Sequence, residues 1–179
     1  MKIVTHSGHF HTDDLLAVSA LLLKFPDSEV VRSRDEKVIE SADIVVDVGG
    51  IYQSEKFRFD HHQASGACVR SNGIPYASFG LVWQAFGKEL AGGFDAAKIL
   101  DERVGMPVDA YDNAFEISTP IYSNVKEYSL GDFFEVFDYK SQTLEDFDKN
   151  FFSTLPIAQE FLNKEILVAR DAVKDYQEA

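Results

Sequence analysis

The chain has 179 residues, 45% of them apolar and including 15 Phe and 7 Tyr, which suits one folded domain with a real core and excludes a disordered chain. A formal net charge of −13 excludes extended duplex binding through a basic face, but not a short nucleotide or oligonucleotide where bound cations reverse the local field. The single cysteine, Cys68, excludes an internal disulfide, suits a reducing cytosol and reads as buried filler rather than as a nucleophile.

Lys2 to His6 reads as a first strand around Ile3 and Val4. Asp13 and Asp14 stand where helix N-termini favour carboxylates, ahead of an apolar helix that ends near Phe25-Pro26. Its run from Leu15 to Leu23 falls well short of the roughly 20 residues that span a bilayer. No basic leader precedes it, so neither a membrane span nor a signal peptide is expected, and the expected compartment is the cytoplasm. Glu29 to Arg32 reads as a second strand and Asp35 to Ser41 as a short helix. Ile44 to Val48 is a β-branched strand closed by Gly49-Gly50, and Phe57 to Phe59 is a short strand running into Asp60-His61-His62. Helices follow over Ala77–Leu90, Asp95–Val104, Val108–Glu116 and Leu130–Tyr139, then a long one from Thr143 to Glu178 with a break expected near Pro156.

Strands alternating with helices imply an α/β fold: a parallel sheet with helices on both faces, followed by a mainly helical C-terminal half. Ligands of such sheets collect beyond the carboxyl ends of the strands, where His6, Asp47 and the Asp60–His62 run all stand.

The five histidines fall in two clusters, His6, His9 and His11, then His61 and His62, and each cluster carries aspartates. Imidazole and carboxylate together suit first-row divalent cations, and a carboxylate shared by two of them suits phosphoryl chemistry. The plainer alternative makes these loop and surface histidines, with Asp47 capping a turn before Gly49-Gly50. Co-location of all five beside aspartates favours the metal site. Arg32 and Arg34 are candidates for a substrate phosphate or for plain surface positions.

Four stretches resemble the DHH phosphoesterase superfamily, named for its Asp-His-His motif, and within it the melanocyte-proliferating-gene branch, whose members are regarded as nucleases. They are Thr5-His6-Ser7-Gly8-His9-Phe10-His11-Thr12-Asp13-Asp14, Ile44-Val45-Val46-Asp47-Val48-Gly49-Gly50, Phe59-Asp60-His61-His62-Gln63 and Val108-Asp109-Ala110-Tyr111-Asp112-Asn113. The resemblance implies that His6 and His11 bind one metal, that Asp13, His61 and Asp112 bind a second, and that Asp47 bridges both. His9 competes with His6, and Asp109 with Asp112. His62 would face the scissile phosphate, and Asp60 would orient a neighbouring imidazole.

The implied activity is two-metal, in-line hydrolysis of a nucleotide or short single-stranded RNA phosphoester. Manganese is the favoured ion, with magnesium or cobalt as alternatives. A pyrophosphatase-like hydrolase of small phosphoanhydrides and a catalytically silent metal-binding regulatory module are the rival readings. Superfamily enzymes carry a smaller second domain that closes over the substrate. Residues 1–179 are expected to hold only the DHH-type domain, with a homo-oligomer or partner completing the cleft.

Overall fold

The computed structural model describes residues 1–178, with Ala179 outside the described residues. Five short strands form one sheet: β1 (Lys2–Thr5), β2 (Glu29–Arg32), β3 (Ile44–Val46), β4 (Tyr52–Gln53) and β5 (Arg58–Phe59). Their spatial order is β2-β1-β3-β5-β4, and every pairing is parallel except that of β4 with β5. Val4 pairs with Val45 and Val46 with Phe59, so the strands end in step. His6, Asp47 and Asp60, each the residue after its strand, therefore emerge along one edge of the sheet.

Alternation along the strands divides two cores. Ile3, Ile44, Val46 and Phe59 face α1 (Thr12–Lys24) and α3 (Ser78–Leu90), with Leu15, Leu16, Phe79 and Leu81 among the buried partners. Val4, Val45 and Val48 face the other way, covered by Val38 and Ile39 of α2 (Glu36–Glu40). Helices thus cover both faces, thickly on one side and by a single short helix on the other. Asp35 caps α2, its carboxylate accepting the Lys37 and Val38 amides.

Several element boundaries differ from those the sequence predicts. The strand expected over Ile44–Val48 ends at Val46, because Asp47 takes a φ of 55°, where no strand continues. Phe57 likewise turns at φ 54° and leaves only Arg58–Phe59 in β5. The antiparallel β4 was too short to show any alternation. The helices expected over Asp95–Val104 and Val108–Glu116 form one rod, α4 (Phe94–Leu100) running through a π-helical turn, Asp101–Gly105, into α5 (Met106–Asp112). This rod stops at Asp112, with Ala114 at φ 50° close behind. The next helical segment is α6 (Leu130–Glu135) followed by a 3₁₀ turn, Val136–Asp138.

The break expected near Pro156 is absent: α7 (Leu144–Glu178) passes through the proline. Phe151, Leu155, Ala158, Leu162, Ile166 and Ala169 recur every three or four residues, and all are buried. Burying four large apolar side chains is worth roughly 1.5–3 kcal/mol each, which outweighs the ~3 kcal/mol cost of an interior proline. Among the described residues, no helix is long and apolar enough to cross a membrane.

Candidate metal centre

The His6–His11 segment leaves β1 and crosses the carboxyl edge of the sheet before α1 begins. Its conformation is braced from two sides. Arg32, buried rather than on the surface, donates to the Gly8 carbonyl at 2.7 Å and to Asp148 of α7 at 2.7 Å, with its guanidinium over the Phe151 ring. Asp14 accepts the His11 amide at 2.8 Å. Arg34 donates through Nε to the Ser7 carbonyl at 3.2 Å.

Asp47 stands at the centre. Its Oδ2 lies 3.3 Å from Nε2 of His6, and its Oδ1 lies 3.4 Å from Nε2 of His61 and 3.5 Å from Nδ1 of His62. Asp112, at the end of α5, reaches His61 at 3.0 Å with one oxygen and faces His11 at 3.7 Å with the other. Three sets have donor atoms within 4.8 Å of one another: His6, His11 and Asp47; Asp13, His61 and Asp112; and Asp47, His61 and His62. Asp60 accepts both the backbone N–H and Nδ1 of His62, at 3.0 and 2.7 Å, and takes the Gly50 amide on its other oxygen.

Two residues weighed as alternatives lie elsewhere. His9 turns Nε2 towards Asp138, 3.5 Å away. Asp109, fully buried, accepts the Gly80 amide at 3.0 Å and pairs with Arg70 at 2.7 Å. Cys68 is half-buried against the core.

The head of α3 joins this network, although no motif marks it in the sequence. The Ser78 and Phe79 amides donate to the two oxygens of Asp13 at 3.0 and 2.7 Å, and the Ser78 hydroxyl donates to Asp47 at 3.0 Å. A Cβ at position 80 would collide with the Asp109 carboxylate and Arg70, so only glycine fits there. A small residue, serine and glycine at the start of a predicted helix were the available signals. They read as ordinary helix-start chemistry.

The electrostatics follow from crowding acids and imidazoles out of water. Burial raises Asp13, helped by the Asp112 and Asp47 charges, and pushes Asp14 up to about 7. Burial opposes protonation of His61, but the facing Asp112 and Asp47 carboxylates outweigh it and hold the imidazole at about 11. His6 rises for the same reason through Asp47 and Asp14, and Asp47 falls well below the usual carboxylate range between the two imidazoles. Asp60 raises His62, whereas burial lowers His11.

The donor set fits divalent cations. His6 Nδ1 lies 3.3 Å from the Ser7 carbonyl, which favours the tautomer with Nε2 as a free lone pair. Nε2 of His61 faces Asp112 and Asp47, and Oδ2 of Asp14 faces Nε2 of His6, all buried and without a well-directed hydrogen bond, and a cation taking the place of the imidazole protons would satisfy them. Mixed nitrogen and oxygen ligands suit manganese, cobalt or zinc better than magnesium. Beside the cluster opens a cavity of about 290 Å³ lined by His6, His11, Arg34, Asp47, Val48, Gly49, Gly50, Asp60 and His62.

Comparison with known proteins agrees with the motifs. The family model MYG1_exonuc, described as "Uncharacterised protein family (UPF0160)", matches residues 2–178. The human protein named MYG1 exonuclease is 36% identical over 141 residues, covering 73% of this chain and 38% of its own length. The MYG1 protein of Dictyostelium discoideum is 43% identical over 94 residues, 50% of this chain and 29% of its own, and the MYG1 protein YER156C of Saccharomyces cerevisiae is 42% identical over 93 residues, 50% and 27%. The chain thus spans well under half the length of these relatives. No solved structure matches it significantly.

Proposed function

Because the chain belongs to the MYG1/UPF0160 family, we propose that it is a divalent-metal-dependent hydrolase of a nucleotide or short single-stranded RNA phosphoester. The observation that carries this reading is the position of Asp47. One carboxylate belongs to the set with His6 and His11 through one oxygen and faces His61, a member of the set with Asp13 and Asp112, with the other, so it lies between the two sets. His6, His11 and Asp47 would hold one cation, and Asp13, His61 and Asp112 the other, with manganese the favoured ion. Cations bound there supply Lewis acidity: they lower the pKa of water and neutralise phosphoryl charge.

The remaining groups act on the substrate. Asp60 grips Nδ1 of His62, which fixes the ring and leaves Nε2 free in a side chain that is 60% exposed. Asp60 raises the pKa of His62, which suits the imidazole to donate from Nε2 to a phosphoryl or leaving-group oxygen. Among the described residues Arg34 is the only lysine or arginine lining the cavity, and its Nε contact to Ser7 leaves the rest of the guanidinium for substrate phosphate. The relatives named MYG1 exonuclease support a nucleic-acid phosphoester as substrate.

The small size of the cavity favours a second reading, in which the substrate is pyrophosphate or a similar phosphoanhydride. Turnover of 5′-labelled single-stranded RNA and of pyrophosphate under manganese separates the two. Shortened RNA products with pyrophosphate untouched support the nuclease reading. The reverse result replaces it with the phosphoanhydride reading, and turnover of neither, by protein that binds two metals, leaves a metal-binding module.

A further inference from the structure

We propose that Ser78 is a positioning residue that couples the two halves of the metal centre, an inference that rests on the metal-dependent hydrolase reading above. Ser78 is fully buried at the head of α3 and touches both ligand sets at once. Its amide donates to Oδ2 of Asp13, which belongs to the set with His61 and Asp112. Its hydroxyl donates to Oδ1 of Asp47, the oxygen that faces His61.

The chemistry needs such a contact. A carboxylate oxygen has two lone pairs, and a bridging aspartate spends one of each oxygen's pairs on a cation. The second pair of Oδ1 is left to be oriented, and a hydrogen bond there fixes the plane of the carboxylate. Asp47 also sits at φ 55°, so its side chain hangs from a backbone that is itself strained and must be held from outside. Ser78 is the only serine or threonine whose hydroxyl reaches Asp47 among the described residues.

The same three residues tie the helix to the rest of the centre. The Phe79 amide takes the other oxygen of Asp13, and the Gly80 amide takes Asp109, one turn before Asp112 on α5. A displacement at either ligand set therefore reaches the other through the first turn of α3. Ser78→Ala removes only the hydroxyl contact, because the amide contacts to Asp13 are backbone and survive.

The test titrates metal-free protein with manganese and with cobalt and records the cobalt absorption spectrum. Ser78→Ala is expected to weaken binding about 10–100-fold, as loss of a group that orients a metal ligand does, and to alter the spectrum. Ser78→Gly also lacks the hydroxyl and is expected to shift the spectrum the same way, so that the two variants agree even if one of them folds poorly. Ser78→Thr, which retains a hydroxyl, should restore the parent spectrum. Parent-like affinity and spectrum in both the alanine and glycine variants overturn the role of Ser78 while leaving the hydrolase reading intact. A parent protein that takes up no cobalt or manganese overturns that reading itself.

Discussion

Nε2 of His6 and Oδ2 of Asp47 lie 3.3 Å apart because each residue follows the last position of a neighbouring parallel strand, β1 and β3. The sheet brings them together, and the loops after the strands are free to turn imidazole and carboxylate inward. A ligand site at the carboxyl edge of the sheet follows from that geometry.

In the proposed mechanism His62 acts on substrate and stands outside the two cation-holding sets. With Nδ1 held by Asp60 at 2.7 Å, His62→Ala should keep two metals per chain and lose about 10²–10⁴-fold in turnover. Metal analysis beside steady-state kinetics checks this. Loss of one metal would instead place His62 in the set with Asp47 and His61.

Arg34 should act on binding rather than on the chemical step. Arg34→Met is expected to raise KM for a phosphoester about 10-fold, the equivalent of roughly 1.4 kcal/mol, with kcat little changed. Arg34→Lys should recover part of the loss. A fall in kcat at constant KM would contradict a substrate-binding role.

Metal binding should strengthen with pH. Asp14, at about 7, and His61, at about 11, bind protons more tightly in the folded chain than in the unfolded one. Their contribution to the stability of the metal-free protein is therefore full at low pH. That of Asp14 is lost as pH rises from near its ordinary 3.8 through about 7, and that of His61 from 6.5 through about 11. A cation held by His61 replaces its proton, and one held by the neighbouring His6 favours the ionised form of Asp14, so the rise in Tm on adding manganese should grow between pH 5 and pH 8. Thermal unfolding with and without metal measures it, and a pH-independent rise would contradict the protonated cluster.

Arg70 and Asp109 form a buried pair with Asp101 close by, and breaking it should cost stability rather than chemistry. Arg70→Met leaves Asp109 buried and uncompensated, an expected loss of about 3–5 kcal/mol. Urea unfolding reads it directly.

Much of this candidate site was legible in the sequence because the residues gathered at the strand ends come in short local motifs. His6, Asp47 and His61 each sit within a few residues of a β-branched or aromatic strand, and the strands were readable from Ile3-Val4 and Ile44-Val45-Val46. The contribution of α3 was not legible, since Ser78 meets Asp47 only after two layers of the fold have packed. The choice between Asp109 and Asp112 likewise depended on Arg70, distant in sequence, which takes up the first of the two. The intact α7 was hidden for a related reason: proline is a local signal, whereas the stripe from Phe151 to Ala169 acts through what it packs against.

The most direct test of the whole account is metal content together with manganese-dependent hydrolysis of a generic phosphodiester, for the parent protein and for Asp47→Ala. The account predicts about two metals per chain in the parent and, in the variant, loss of metal with activity down by at least about 100-fold. Equal activity in both proteins, with no metal bound in either, would contradict it.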